Sequence, residues 1–285
     1  MVERRPGPAL IAHAVLLLGV LAIVFPIYVA FVASTQTSEQ IVQQVPMSLL
    51  PGDNFRESYG VALLGGETSY GSKIAPVGRM LWVSLVCALS IAIGKIVISL
   101  LSAFAFVYFR FPLRSLCFWM IFVTLMLPVE VRIGPTYEIV ANLGLLNSYT
   151  GLIVPLIASA TATFLFRQFF LTVPDELVEA ARMDGAGPMR FFVDVLIPLS
   201  MTSIAALFVI QFIYGWNQYL WPLLITTSAD MYPIVIGIRS MFTGGDAANE
   251  WNVIMATAVL AMIPPALVVM LMQKWFVKGL VDTEK

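Results

Sequence analysis

The chain has 285 residues, of which 59% are hydrophobic and 12% charged, with a formal net charge of -1 and a mean hydropathy of +0.89. Soluble domains carry about 25% charged residues, so this composition excludes a soluble domain and predicts an integral membrane protein with several spans. The near-neutral charge and the lack of a basic patch interleaved with aromatic residues exclude a nucleic-acid partner. Cys87 and Cys117 lie in apolar runs without a spacing motif, which predicts neither a disulfide framework nor a metal site.

Six stretches are apolar enough over the roughly 20 residues that a bilayer requires; they are about 9–34, 80–109, 114–133, 150–171, 201–226 and 253–276. The first is longer than the apolar region of a cleavable signal, so we interpret it as a retained span. Lysine and arginine residues outside the spans show a roughly two-to-one bias toward the side that holds the N-terminus. An all-α protein of six transmembrane helices is therefore predicted, with both termini on the cytoplasmic side.

Lys95 lies near the middle of the second predicted span, too deep to reach the headgroups. A charge at this depth costs at least roughly 2.5 kcal/mol and marks a functional candidate. We expect Lys95 to face a pathway or a buried acidic partner. A purely structural pair, or hydrogen bonds to carbonyl groups, is the alternative.

Two further groups are pathway candidates. Arg132, near Glu130 at the end of the third span, is the first, although an exposed interfacial ion pair explains it as well. The second places polar edges and aromatic faces inside the fifth span, as a polyol site requires; it comprises Trp216, Asn217, Gln218 and Tyr219. Packing against another membrane protein is the alternative for this second group.

Prolines interrupt most of the spans, and each removes a backbone donor that neighbours or water must replace; they are Pro26, Pro128, Pro155, Pro222, Pro264 and Pro265. Interrupted helices at membrane depth often line a pathway. Several such interruptions together favour a transporter or channel over a simple anchor. The polar loops 35–78 and 227–252 on the opposite side either contact a soluble partner or serve as plain connections.

A charged helix–turn–helix is predicted between the fourth and fifth spans. Pro174 suits a first helical position, and Gly185 suits the left-handed residue that ends a helix. Pro188 then begins a second short helix, which Pro198 closes. One helical face holds four residues at offsets of 3, 4 and 7; they are Leu177, Ala180, Ala181 and Asp184.

The two alanines on that face allow another protein to approach the helix backbone closely. Met183, Phe191 and Phe192 add apolar bulk that we expect to fill a cleft in the partner. A helix lying on the membrane surface would need a wide basic face. The acidic residues of this segment argue against it; they are Asp175, Glu176, Glu179 and Asp184.

The segment Glu179-Ala180-Ala181, Gly185 and Val195-Leu196-Ile197-Pro198 resembles the signature of permease subunits of binding-protein-dependent ABC importers, in which Glu-Ala-Ala and Gly precede Ile-x-Leu-Pro. Nearly the whole chain resembles the second permease of maltose-type carbohydrate importers. The segments 124–133 and 279–285 are most similar to the permeases of sn-glycerol-3-phosphate importers. Another carbohydrate or polyol is the alternative substrate.

This resemblance implies a type I importer fold, divided into a first helix with a periplasmic loop (1–78), a five-helix core with a coupling loop at 172–200 (79–276), and a cytoplasmic tail (277–285). It implies that Glu179 contacts an ATP-binding subunit, that Ala180 and Ala181 permit close approach, and that Gly185 forms the turn, with Asp184 on the same face. The implied partners are a second permease, an ATPase dimer, an extracytoplasmic binding protein and lipid of a bacterial inner membrane.

The chain has no phosphate-binding loop of the Gly-x-x-x-x-Gly-Lys-Ser/Thr type, so ATP is expected on a separate subunit and no cofactor on this chain. An ion-coupled carrier would need intramembrane acids, which the predicted spans almost lack. A membrane enzyme would need clustered acidic residues and histidines, and the chain has a single histidine. Transport, rather than catalysis by this chain, is therefore predicted.

Overall fold

The computed structural model describes residues 6–67, 73–74, 76–124, 129–242 and 249–281. It divides into two compact units, residues 1–79 with 237–263, and residues 80–236 with 264–285. Helices dominate both units. The described strands are β1 (Gly66–Glu67) and β2 (Lys73–Ile74), which pair antiparallel with Gly66 opposite Ile74.

The helices before the fourth predicted span are α1 (Pro6–Ser34), α2 (Ser38–Gln43), α3 (Phe55–Leu64), α4 (Val77–Tyr108), α5 (Arg114–Val123) and α6 (Val129–Asn142). Those that follow are α7 (Tyr149–Ile153), α8 (Ala160–Phe170), α9 (Asp175–Met183), α10 (Pro188–Phe191), α11 (Ile197–Leu199), α12 (Met201–Trp216), α13 (Leu220–Ile225), α14 (Ile234–Ser240) and α15 (Trp251–Val281). Short 3-10 turns cover 154–156 and 229–231, and a π-helical turn covers 192–196.

Three described helices are long and apolar enough to cross a bilayer, over Ile11–Ser34, Val77–Tyr108 and Trp251–Trp275. Two bent pairs bring the number to five if each pair is one span: Tyr149–Leu156 with Ala160–Phe170, bent by 46°, and Pro188–Leu199 with Met201–Ile225, bent by 74°. The fourth predicted span is therefore an interrupted helix, and the 74° bend lies at Ser200, just before the fifth. The fifth stops at Trp216 and restarts at Leu220.

The third predicted span, 114–133, is not one described helix. Its first part is α5, which is only 10 residues long, and residues 125–128 lie outside the described part of the chain. Residues 243–248 of the second polar loop and 282–285 of the predicted tail also lie outside the described part of the chain. The tail is helical as far as Val281.

In the first unit, α1 is apolar all round, and only 6% of its most hydrophobic window is buried. Lipid or a neighbouring protein must therefore cover it. Beyond its end, a polar network joins the loop helices to the start of α15. Asn252 accepts a hydrogen bond from the Ser38 hydroxyl at 2.6 Å and donates one to the Ser58 hydroxyl at 3.0 Å. Asn54 also donates to Ser58, at 3.2 Å.

The second unit has two buried hydrophobic clusters. The first joins α4, α8 and the segment 191–207, and it includes Phe104, Phe166, Phe170, Phe191, Phe192 and Leu196. The second joins α4, α6, α7 and α13, and it includes Val83, Ile91, Val140, Leu152, Trp221 and Ile225. Gly215 brings α12 close to α4, because a Cβ there would lie 2.9 Å from the Cα of Ala88.

Asn147, which has a positive φ of 52°, joins the α6–α7 connection to the end of α13. Its backbone amide donates to the carbonyl of Ile225, and its side-chain amide donates to the Thr227 hydroxyl at 2.8 Å. Its side-chain oxygen accepts from the backbone amides of Thr227 and Ser228 at 2.7 and 3.0 Å. One side chain thus provides the amides that follow α13 with an acceptor.

Candidate functional site

A cavity of about 610 Å³ lies inside the second unit, within the range typical of small-molecule sites. Helices α4, α5 and α12 contribute to its wall, together with Arg132 from α6 and the residues around the start of α8. The charged and polar side chains of the lining are Lys95, Ser102, Thr124, Arg132, Ser159, Thr161, Thr163, Gln211 and Tyr214. Among the described residues, the lining contains two cations and no carboxylate.

Lys95 is 6% exposed and reaches across from α4 to α12. Its ammonium donates a hydrogen bond to the side-chain oxygen of Gln211 at 3.1 Å and lies 3.6 Å from the centre of the Tyr214 ring. A cation over an aromatic face is attracted by the ring quadrupole. Lys95 therefore lines a cavity, and within the described part of the chain it has no carboxylate partner; its place on a transport pathway stays a prediction.

Arg132 lines the same cavity from α6, and its side chain is exposed. The ion pair with Glu130 falls outside the described side chains. Arg132 and Lys95 come from helices that are separate in sequence, and the fold brings them to one cavity. Together the two side chains give the cavity a positive potential. Neither predicted span alone indicates it, because it depends on how the helices pack.

The start of α8 adds to this potential. Ser159 caps the helix, its hydroxyl accepting from the Ala162 amide at 3.2 Å and its carbonyl accepting from Thr163. The first-turn amides of Ala160 and Thr161 have no intrahelical acceptor, and both residues line the cavity. The positive end of the α8 dipole thus borders the same space as the two cations.

The four predicted residues of the fifth span lie at the break between α12 and α13, and none lines this cavity. Trp216 is buried and stacks on Phe212, whereas Asn217 and Tyr219 are exposed. Gln218 donates to the carbonyl of Tyr214 at 3.1 Å, which satisfies one backbone group freed by the break.

Sequence reasoning missed Gln211 and Tyr214, which lie five and two residues before Trp216 on the same helix. A signal was present for Gln211, since it is the only amide side chain in the apolar run from Met201 to Trp216. Its pairing with Lys95, which lies 116 residues earlier, was not accessible from local sequence.

The charged segment before α12 forms the predicted helix–turn–helix. Helix α9 ends at Met183, and Gly185 follows with a φ of +72°. The Gly185 amide donates to the carbonyl of Arg182, and the Ala186 amide donates to the carbonyl of Ala181 at 2.9 Å. This pair of bonds is the Schellman motif, which requires a left-handed residue at the position of Gly185.

The predicted face of α9 borders a groove of about 290 Å³, lined by Leu177, Ala180, Ala181, Asp184, Ala186, Arg190, Phe191, Asp194 and Val195. Glu179, Ala180, Asp184 and Gly185 are exposed, and Ala181 is half-buried. Met183 is 84% exposed. The face therefore presents small side chains with acidic residues among them.

The expectation that Phe191 and Phe192 project into a partner is wrong. They are 6% and 5% exposed and pack into the hydrophobic cluster with Phe104. A π-helical turn begins at Phe192 and leads into α11 and α12. Pro198 lies one residue before the end of this helical segment at Leu199, where the chain bends by 74° into α12, so the predicted end near Pro198 is confirmed. The two phenylalanines anchor the loop to the membrane-embedded helices.

The described residues contain no group of three or more His, Cys, Asp or Glu side chains placed to hold a metal ion. The candidate sites that remain in this unit are the cation-lined cavity, for a ligand, and the exposed polar turn, for a partner protein.

Comparison with known proteins gives concordant matches. The family model described as binding-protein-dependent transport system inner membrane component matches residues 95–282. The sn-glycerol-3-phosphate transport system permease protein UgpE of Brucella melitensis biotype 1 is 61% identical over 286 residues, which cover 100% of both chains. The proteins of the same name from Agrobacterium fabrum and Pectobacterium atrosepticum are 61% and 58% identical, also over 100% of both chains.

A solved structure shows the same fold. The chain matches a crystal structure of a bacterial ABC transporter involved in the import of the acidic polysaccharide alginate, with a TM-score of 0.78 and 22% identity over 97% of this chain and 99% of that chain. The resemblance predicted from the motif at 179–198 is confirmed by the family match, which includes the motif. The chain is a member of the family of inner membrane components of binding-protein-dependent transport systems.

Proposed function

We propose that this chain is a permease subunit of an ATP-driven importer of sn-glycerol 3-phosphate. The observation that carries the proposal is its identity of 58–61% with sn-glycerol-3-phosphate permeases over the full length of both chains. The cation-lined cavity supports the same substrate, because an organic phosphate carries nearly two negative charges near neutral pH.

The proposed topology has six transmembrane helices with both termini in the cytoplasm. The three long helices and the two bent pairs provide five spans, and α5 with α6 is proposed as the other. In this arrangement residues 1–78 are the first helix and a periplasmic loop, 79–276 are the five-helix core, and 277–285 are the tail. The lysine and arginine bias supports the orientation.

The exposed turn after α9 is proposed as the contact with the ATPase dimer. Glu179 faces the ATPase, Ala180 and Ala181 allow its surface to approach, and Gly185 and Asp184 set the turn. The exposure of this face and its firm attachment through Phe191 support this role. ATP is bound and hydrolysed by the separate subunit, and closure of its dimer moves the turn and, through it, α12.

The transport pathway is proposed to pass Lys95 and Arg132 in the cavity. The break between α12 and α13 is proposed to add a polar section, formed by Trp216, Asn217, Gln218 and Tyr219. A second, related permease completes the pathway, and an extracytoplasmic binding protein delivers the substrate. Lipid covers the apolar surface of α1.

The test is uptake by proteoliposomes that contain both permeases and the ATPase, with the binding protein added outside. We expect ATP-dependent accumulation of labelled sn-glycerol 3-phosphate, and we expect that an excess of glycerol or maltose does not inhibit it. If a neutral sugar is accumulated and the phosphate is not, the substrate assignment is wrong, whereas membership of the family is unaffected.

A further inference from the structure

The cavity of the second unit has an uncompensated charge. It is lined by Lys95 and Arg132, and within the described residues neither side chain forms an ion pair with a carboxylate. Lys95 is more than nine-tenths buried. An isolated buried charge is costly unless it is paired. Among the described residues, no carboxylate therefore offsets the positive charge of this cavity.

The contacts of Lys95 hold its ammonium in place without saturating it. An ammonium has three N–H donors, and one of them goes to the Gln211 side chain at 3.1 Å. The Tyr214 ring offers its face at 3.6 Å, which attracts the cation without providing an oxygen or nitrogen acceptor. Donors thus remain for a ligand in the cavity, and both supporting residues are neutral.

The α8 N-terminus borders the same cavity through Ala160 and Thr161. Amides of a first helical turn, with the helix dipole behind them, favour a negatively charged ligand. Three sources of positive potential from different helices therefore converge on one space. A neutral sugar would gain little from this arrangement, whereas a phosphate would replace its lost hydration with charge-assisted hydrogen bonds.

We propose that this permease carries its own phosphate-recognition site, in which Lys95 and Arg132 bind the phosphate group of the substrate and Gln211 positions Lys95. This inference rests on the proposed function for the identity of the cargo. It adds that selection for the phosphate is made a second time, inside the membrane, by this chain. Organic phosphate monoesters are its substrate class.

The decisive variant is Gln211→Glu, which changes shape little and places a carboxylate against the ammonium. If Lys95 has only a structural role, the new ion pair stabilises it at least as well as the hydrogen bond to Gln211 does. A phosphate site loses its cation to the carboxylate and gains a like charge beside the ligand. Lys95→Met removes the cation, and Lys95→Arg retains it.

The measurement is equilibrium binding of labelled sn-glycerol 3-phosphate to the assembled membrane complex in nanodiscs, without the binding protein. A charge-assisted hydrogen bond corresponds to roughly a 10- to 100-fold change in affinity. We expect Gln211→Glu and Lys95→Met to weaken binding by about that factor, Arg132→Gln to weaken it, and Lys95→Arg to retain most of it. Labelled glycerol is the uncharged probe and is expected not to bind.

Lys274→Met is the matched control, because Lys274 is an exposed lysine on α15 outside the cavity, and its variant is expected to bind as wild type does. ATP hydrolysis in each preparation verifies that the complex is assembled. Equal binding by wild type, Gln211→Glu and Lys95→Met, or no saturable binding by wild type, overturns the phosphate site.

Uptake assays on the same complexes separate the two proposals. If wild type imports the phosphate and the cavity variants import it equally well, the site is refuted and the proposed function stands. If wild type binds the phosphate through Lys95 and does not import it, the phosphate site is supported and the transport assignment is refuted.

Discussion

Substitution of Gly185 by alanine tests how the turn after α9 is held. The φ of +72° is strained for any residue with a Cβ, and no atom lies within 4 Å of the position that a Cβ would take. The cost is therefore backbone strain alone, roughly 1–2 kcal/mol. An energy of this size changes the ratio of formed to open turn by a factor of about 5–30. Opening releases the amide of Ala186 from the carbonyl of Ala181.

The assay is native-state hydrogen exchange of residues 181–187 in the proposed permease pair without the proposed ATPase, because an ATPase bound at this turn would slow its opening. We expect about 5- to 30-fold faster exchange of the Ala186 amide in Gly185→Ala. In Gly185→Asn the Ala186 amide should exchange at a rate between those of wild type and Gly185→Ala, because asparagine tolerates this backbone region. Gly19→Ala, inside α1 with open space around it, is the control and should not alter the turn. Unchanged exchange in Gly185→Ala would show that the turn is not limited by its backbone conformation.

Three stability predictions concern the packing around the site. Gly215→Ala places a Cβ against the Ala88 backbone and should destabilise the chain by about 1–3 kcal/mol. Ser84→Ala leaves the buried amide of Ile234 without its 2.7 Å acceptor, for a loss of about 1–3 kcal/mol. Arg190→Ala breaks an exposed ion pair and should change stability by less than about 0.5 kcal/mol.

These stabilities are measured by thermal unfolding with a thiol-reactive dye, since Cys87 is buried in the folded chain. Gly60→Ala is the control for Gly215→Ala, because nothing lies within 4 Å of its Cβ position. If the variants at 84, 190 and 215 unfold at the same temperature, the close approach and the buried hydrogen bond do not limit stability.

Features that depend on residues close together in the sequence could be predicted. Gly185 was predicted as a left-handed helix end, and its φ confirms this, because the signal lies within one helical turn. The helix over 175–183 and the second helix beginning at Pro188 follow from the same local rules. Hydropathy likewise identified α4 and α15, which are continuous and apolar over a length that can cross a bilayer.

The features that were missed depend on partners distant in sequence. Phe191 was expected on a docking surface, because a local pattern does not distinguish an outward aromatic ring from one that packs on Tyr108. The break after Trp216 was not predicted, because it spans only Asn217, Gln218 and Tyr219. A hydropathy average over about 20 residues does not register so short an interruption of an apolar run. The depth of Lys95 was inferred from its position, whereas its partner Gln211 is determined by the packing of α4 on α12.

The four hydrogen bonds of Asn147 have a practical consequence for labelling. They cross-link the connection before α7 to residues 225–228, so two segments that look independent in the sequence behave as one edge. An epitope or fluorophore inserted at 143–148 would therefore disturb the end of α13 as well. In the chain without its proposed ATPase, Met183, whose side chain is 84% exposed, offers a position for a reporter attached through a substituted cysteine.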